Sequence, residues 1–410
     1  EDADAQCSLG WMYRNGRGIA QDDKEAVEWY QRAAEKGNVS AQSSLGWMYR
    51  NGRGVAQDDK KAFEWYQRAA DQGDIDAQNS LGWMHREGRG VVQDDRRAVE
   101  WYQRAAEKGN ASAQNSLGWM YKNGRGVVKD SKKAAEWYEK AAVQGNASAQ
   151  YKLGVMYYNG EVVAKDPKKA LEWFQKAADQ GDAAAQQMLG VMYYNGEVVA
   201  KDPKKALEWY QKAAEQGNAD AQYNLGCMYL NGLGVVADDK KAFEWYQKAA
   251  AQGDASAQNS LGFMYKNGRG VAKDNVKAVE WYQEAAEQGY VGAQYRLGVM
   301  YDYGEGAGKD HAKAVAWYTK AAEQGHINAQ SSLGVMYKNG QGVSQDDRKA
   351  LEWFQKAANQ GEATAQFNLG LMYKNGHVIA QDDRKALEWF QKAANQGHAG
   401  AQNMLGCVID

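Results

Sequence analysis

The sequence predicts an all-α fold, a right-handed α/α solenoid of eleven 36-residue helix-turn-helix copies followed by a partial twelfth. Three observations predict it. The dipeptide Leu-Gly recurs every 36 residues from Leu9 to Leu405. Inside each copy, apolar residues fall at helical spacing, while glycine and aspartate stand where helices stop and start. No linker, composition shift or low-complexity tract interrupts the period from Ala3 to Gly397, so 1–410 reads as a single array. The copies begin at 3, 39, 75, 111, 147, 183, 219, 255, 291, 327 and 363, with the partial copy from 399.

The second copy serves to justify each element. Ala41, Leu45, Met48, Tyr49 and Gly52 are spaced i, i+4, i+7, i+8, i+11, the signature of a first helix, A. Gly52 follows its last turn as a left-handed cap, as Gly73 does for the second helix, B. Helix B begins after Asp58, a position that is Asp in all eleven copies. In two copies proline follows, at Asp166-Pro167 and Asp202-Pro203, and these are the chain's only 2 prolines. An Asp N-cap with Pro at the first helical position fixes the register, because proline's missing N–H costs nothing there. Helix B is expected to bury Ala62, Phe63, Trp65, Tyr66, Ala69 and Ala70 and to turn Lys60, Glu64, Gln67 and Arg68 outward. Glu64 and Arg68 form an i, i+4 pair that recurs in nine of eleven copies. Gly46 and the Ala69-Ala70 pair allow close helix approach. Two helices cannot bury this face alone, so copies must stack, giving about 23 helices.

Composition removes several classes of function. Fifty Lys and Arg against 52 Asp and Glu give a net charge of −2, which offers no global attraction to nucleic acid or anionic membranes. No apolar run approaches the ~20 residues of a membrane-spanning helix, and no signal segment opens the chain. Because Glu1 lies at the entry to a copy and Asp410 inside one, both ends are expected to be cut from a longer protein.

The three cysteines, Cys7, Cys227 and Cys407, give no disulfide framework, since Cys227 and Cys407 share one frame position five copies apart. The five histidines, His85, His311, His326, His377 and His398, contain no H-E-x-x-H and no i, i+4 pair, so packing and surface roles are expected. S-x-x-K, G-x-S-x-G and the P-loop are missing, and Gly52-Arg53-Gly54 follows a helix, which makes it a turn. The recurring Asp58-Asp59 is read as N-capping, not as a cation site. Asn38, Asn110 and Asn146 open glycosylation sequons, but each falls in the turn between copies, where Asn is favoured for its own reasons. No cofactor, metal or catalytic group is expected.

The pattern A-x-A-Q-x-x-L-G-x-M-Y-x-N-G-x-G-V-x-x-D-x-x-K-A-x-E-W-Y-x-x-A-A-x-x-G resembles the SEL1-like repeat, a relative of the tetratricopeptide repeat. Residues 41 to 73 match it nearly position by position, and the resemblance covers essentially the whole chain. The chain departs from the family where Ala56 or Val92 replaces a frequent interhelical proline, and in lacking the paired cysteines of one bacterial branch. Near-identical copies at unbroken spacing look most like exported enterobacterial members. That resemblance implies a monomeric, secreted or cell-surface virulence factor that binds a host protein, secretory immunoglobulin A.

Fifteen tryptophans divide into eleven at one helix B position, Trp29 to Trp389, and four others, Trp11, Trp47, Trp83 and Trp119. At 100° per residue Trp47 lies roughly 145° from the core stripe of helix A, on its outer face. In tetratricopeptide-like solenoids the A helices line the concave groove, where these four would form a ladder. The same copies add Arg14, Arg50, Arg86 and Lys122 one turn on, and Arg17, Arg53, Arg89 and Arg125 in the following loop. Later copies replace the set, with Val155, Tyr158 and Glu161 in the fifth and Cys227, Leu230 and Leu233 in the seventh. Trp with Arg on an accessible surface has the composition of a protein-binding hot spot. Packing of neighbouring A helices explains the same residues equally simply, and basic residues near a helix C-terminus are favoured by the macrodipole. Gly292, the stretch from Asp302 to Gly308, and Ala316 make the ninth copy irregular and predict a softer joint.

The leading class is therefore a non-catalytic protein-binding scaffold. The rivals are an enzyme acting on peptidoglycan or β-lactams, a periplasmic or regulatory scaffold for another bacterial protein, and an RNA reader using the basic face of copies 1 to 4.

Overall fold

The computed structural model describes every residue except 1, 162, 163, 377 and 410, and the side chains of 407–409 are likewise outside the description. His377 and the thiol of Cys407 thus lie outside the described residues. Among these residues there are 23 helices and no strand, in the tandem arrangement of an α/α solenoid. They gather into two compact units, Glu1–Asp202 and Pro203–Asp410.

Each copy builds itself as its sequence dictates. Helix A of the second copy spans Val39–Asn51 and ends at Gly52, whose φ of 64° is left-handed and whose N–H donates to the Met48 carbonyl. Helix B spans Asp59–Asp71, and the Asp58 carboxylate accepts from the amides of Lys60 and Lys61. Asp166 caps a helix whose first residue is Pro167. The sequon asparagines are caps too, for Asn38, Asn110 and Asn146 accept from the amides of Ala41, Ala113 and Ala149. At the end of helix B the cap itself is Gln72, and Gly73 follows it with φ 96°.

The core of unit 1 repeats one motif. Gly46 lies flat against the ring of Tyr66, so close that a β-carbon there would stand 2.9 Å from the ring. Gly10 with Tyr30, Gly82 with Tyr102, Gly118 with Tyr138 and Gly154 with Phe174 repeat the contact, and unit 2 does the same from Gly226 with Tyr246 onward. Ala62, Tyr66, Ala69 and Ala70 are buried as expected, whereas Phe63 and Trp65 are only half-buried. Arg68 accounts for Trp65: its guanidinium lies 4.5 Å over that indole, one turn on, rather than serving an ion pair with Glu64. Arg104 over Trp101 and Lys140 over Trp137 repeat this cover. Glu28 and Arg32 do approach to 3.7 Å, both more than half exposed, so that pair contributes little.

One buried polar element had no assigned role in the sequence. The Gln42 side chain is 4 % exposed; its amide donates to the Ala34 carbonyl of the preceding helix B, and its oxygen accepts from Gln72 at 2.7 Å. A buried amide thereby ties consecutive B helices together.

In unit 2 the ninth copy keeps a continuous helix A, Val291–Tyr303. Gly304 and Gly306 occupy the left-handed positions that Gly52 and Gly54 hold in the second copy. Its N-cap, Tyr290, makes no side-chain cap bond. Other contacts hold the copy, including Tyr295 stacked on His326 at 4.5 Å and the Asp302 carboxylate 2.9 Å from His311 Nδ1.

Candidate protein-binding site

The four tryptophans outside the repeat consensus all lie in unit 1, and the structure joins three of them to the basic residues that travel with them. Trp47 has the Arg14 guanidinium of the preceding copy 3.9 Å from its ring centroid and Arg53 of its own loop at 5.7 Å. Trp83 lies between Arg50 at 5.1 Å and Arg89 at 5.8 Å. Trp119 lies between Arg86 at 5.3 Å and Arg125 at 5.5 Å. The result is an alternating guanidinium and indole ladder that crosses from copy to copy.

The loop arginines are fixed a second time. Arg53 donates from Nε and Nη2 to the carboxylate of Asp23, at 2.8 to 3.1 Å. Arg89 reaches Asp59 at 2.5 Å, and Arg125 reaches Asp95 at 2.8 Å. Planar, forked pairing of this kind holds both partners in one geometry. The Asp58-Asp59 dipeptide thus has two tasks, since Asp58 caps its helix while Asp59 anchors the loop of the next copy. The ladder ends where the sequence changes, with Lys122 paired to Glu161 at 3.1 Å.

Trp47, Trp83 and Trp119 are half-buried against the core clusters, which a wheel drawn for one isolated helix cannot foresee. Trp11 differs: it is 51 % exposed, and Arg17 beside it in sequence is exposed as well. Two cavities open along the same face. One of about 620 Å³ is lined by Arg50, Asn79, Trp83, Arg89 and the buried phenol of Tyr102. Another of about 400 Å³ is lined by Arg86, Asn115, Trp119, Arg125 and Lys152, and Ser116 borders both. Burial pushes the Tyr102 phenol up to about 12. Lys152 is the residue that sequence reasoning missed on this face. Burial, assisted by Arg86 and Lys122 and opposed by Asp182, lowers its ammonium to about 8.

Elsewhere the titratable residues serve packing. His85 is 1 % exposed with its ring edge-on to Phe63 at 5.5 Å, and burial lowers its pKa. Cys7 and Cys227 are free thiols, and the phenol of Tyr246 donates to Cys227 Sγ at 3.3 Å. Among the described residues no cluster of His, Cys, Asp and Glu is gathered as metal ligands would be, and no helix is long and apolar enough to cross a membrane.

Comparison with known proteins identifies the repeat and the fold. The Sel1 repeat family matches eleven times in succession, at 3–38, 39–74, 75–110, 111–146, 147–182, 183–218, 219–254, 255–290, 291–326, 327–362 and 363–398. Among solved structures, a protective antigen of uropathogenic Escherichia coli strains with the SLR fold is 40 % identical. That match covers 98 % of this chain and 86 % of the antigen, with a TM-score of 0.84. A Sel1 repeat protein from Oxalobacter formigenes is 36 % identical over 75 % of this chain and 90 % of that one, with a TM-score of 0.58. No curated protein matches.

Proposed function

This chain belongs to the Sel1 repeat family, and from that premise we propose that it is a non-catalytic scaffold that holds a partner protein on the A-helix face of copies 1 to 4. Sel1 repeats are of the kind that mediates protein–protein interaction. The observation that carries the reading is the guanidinium–indole ladder of Trp47, Trp83 and Trp119, along which cavities of about 620 and 400 Å³ open on one face. Indoles that line open cavities beside ordered arginines suit a protein hot spot better than they suit packing. The ladder is also pre-organised, since its arginines are fixed before any partner arrives, which lowers the ordering cost of binding.

As partner we propose secretory immunoglobulin A, engaged by an exported or surface-displayed bacterial protein. The likeness to a protective antigen of pathogenic Escherichia coli supports this reading. The test is binding of purified secretory immunoglobulin A to the immobilised full chain, wild type against Trp47→Ala and Trp83→Ala. Circular dichroism is expected to show the helices of both variants intact. The expected result is at least about a tenfold loss of affinity, the scale of a hot-spot aromatic. Unchanged affinity refutes the face, and no binding by the wild-type chain refutes the partner.

A further inference from the structure

The frame position before each Leu-Gly is neutral in ten of twelve copies: Ser8, Ser44, Ser80 and Ser116, then Met188, Asn224, Ser260, Ser332, Asn368 and Met404. The exceptions are Lys152 in unit 1 and Arg296 in unit 2. Each lines a cavity, of about 400 Å³ for Lys152 and about 420 Å³ for Arg296.

Both side chains are half-buried, and neither has a carboxylate within ion-pair distance among the described residues. Lys152 Nζ donates to the Asn115 amide oxygen at 3.0 Å and stands 5.4 Å over the ring of Tyr138. Arg296 lies 5.6 Å over Phe263 and 5.9 Å over Tyr282. The other cations around these cavities are already neutralised: Arg86 by Glu87, Arg125 by Asp95, and Lys266 by Glu305. Each cavity therefore holds one positive charge that no carboxylate among the described residues contacts, Asp182 acting on Lys152 only from a distance. A half-buried cation without a counter-charge is costly, and an anion that enters the cavity removes that cost.

The surroundings offer further donors. The Tyr282 hydroxyl lines the unit 2 cavity, is fully buried and faces Arg296 without completing a hydrogen bond. In unit 1 the buried, unpartnered Tyr138 hydroxyl does not line the cavity, whose polar lining beside Lys152 is Asn115 and Ser116. Asn328 and Ser116 border the two cavities. A carboxylate matches this set, because it carries one negative charge and accepts several hydrogen bonds. A phosphate dianion exceeds the charge available.

We propose that Lys152 and Arg296 each form a carboxylate-binding pocket, one in each unit, that receives Asp or Glu side chains of a protein partner. This rests on the reading of the chain as a protein-binding scaffold and names the chemistry its partner must present. In each unit an acidic side chain of a partner would lie against an aromatic wall, Trp119 in unit 1 and Tyr295 in unit 2.

The test needs no natural partner. The full chain, labelled with ¹³Cε-lysine, is titrated by NMR with the blocked peptide acetyl-Gly-Glu-Gly-amide, its Gln counterpart, and inorganic phosphate. A bound carboxylate is expected to shift the Lys152 resonance saturably and to raise its pKa by about one unit toward the ordinary lysine value. The Gln peptide and phosphate are expected to leave it in place. Lys152→Gln and Arg296→Gln are each expected to weaken binding of an isotopically labelled Glu peptide at their own pocket by about tenfold, the scale of a charge-assisted hydrogen bond. Equal shifts from the Glu and Gln peptides overturn the proposal, as does a stronger shift from phosphate. A chain that shows the Glu shift but captures no immunoglobulin keeps the pockets and loses that partner. A chain that captures immunoglobulin undiminished in the Lys152→Gln, Arg296→Gln double variant and shows no Glu shift keeps the scaffold and loses the pockets.

Discussion

Gly82→Ala adds one methyl group to a place where the structure leaves none. A β-carbon on Gly82 would stand 2.6, 2.7 and 2.9 Å from Cδ1, Cε1 and Cγ of Tyr102. Relief requires the ring to retreat by about 0.8 Å to reach ordinary contact, but Tyr102 is 1 % exposed and close-packed. Overpacking of this kind costs about 1 to 3 kcal/mol, and replacing Gly by Ala within a helix returns up to ~1 kcal/mol. Taking the middle of the overpacking range, about 2 kcal/mol, less a return of up to ~1 kcal/mol, the net loss is about 1 to 2 kcal/mol. In a repeat array that loss is local, so a single melting temperature reads it poorly. Hydrogen exchange reads it directly, and peptides from Ile75–Glu87 and Asp95–Glu107 are expected to exchange about 5 to 30 times faster. Gly406 supplies the control, since it occupies the same frame position yet meets nothing within 4 Å of its β-carbon site. Gly406→Ala is expected to leave protection in Ala399–Ile409 unchanged or raised. The reasoning is refuted if Gly82→Ala exchanges no faster than wild type, or if the two variants behave alike.

Two further predictions concern buried polar groups. In the third copy Lys108 stands where Gln72 stands in the second, and the oxygen of Gln78 is left buried and unpaired. Lys108→Gln is expected to complete the amide bridge and stabilise the end of that helix B by about 0.5 to 1.5 kcal/mol, and accelerated exchange there would contradict the assignment. His85 is neutral in the folded chain because burial, aided by Arg97, lowers its pKa below the usual 6.5, whereas the unfolded chain takes up the proton near 6.5. Its contribution to stability is complete above that value and declines as pH falls toward the folded one. His85→Tyr, which restores the recurring residue, is expected to remove this acid sensitivity around 75–107; denaturation profiles of the two chains that remain parallel between pH 7.5 and 5 would count against it.

Much of the fold is legible because each copy repeats the same local instructions. Asp58 and Gly52 mark helix ends by chemistry that acts within a few residues, and the two Asp-Pro junctions fix the register. Contacts 30 residues apart are harder to read. The pairing of Arg53 with Asp23, and of Gln42 with Gln72, belongs to the stack, so neither appears on the wheel of a single helix. Gln42 did leave a signal, since Gln follows Ala at this place in all twelve copies, on the border of the apolar stripe. A polar residue that recurs so strictly beside a core has a structural partner. The ladder was half legible: Trp47 and Arg50 were placed together, but Arg50 serves Trp83 in the next copy, while Trp47 is served by Arg14. Lys152 passed unnoticed because it departs from the frame in one copy of unit 1 only, and a search for ladders favours what repeats.

The central claim is that a partner protein occupies the A-helix face of copies 1 to 4, and hydroxyl-radical footprinting of the tryptophans tests it most directly. In the free chain the half-buried ladder indoles Trp47, Trp83 and Trp119 are expected to oxidise measurably, more slowly than Trp11 at 51 % exposure. With saturating secretory immunoglobulin A, the ladder indoles Trp47, Trp83 and Trp119 are expected to be shielded while the helix B tryptophans, such as Trp317 and Trp353, oxidise as before. Shielding of the helix B tryptophans with Trp47, Trp83 and Trp119 as reactive as in the free chain would contradict it.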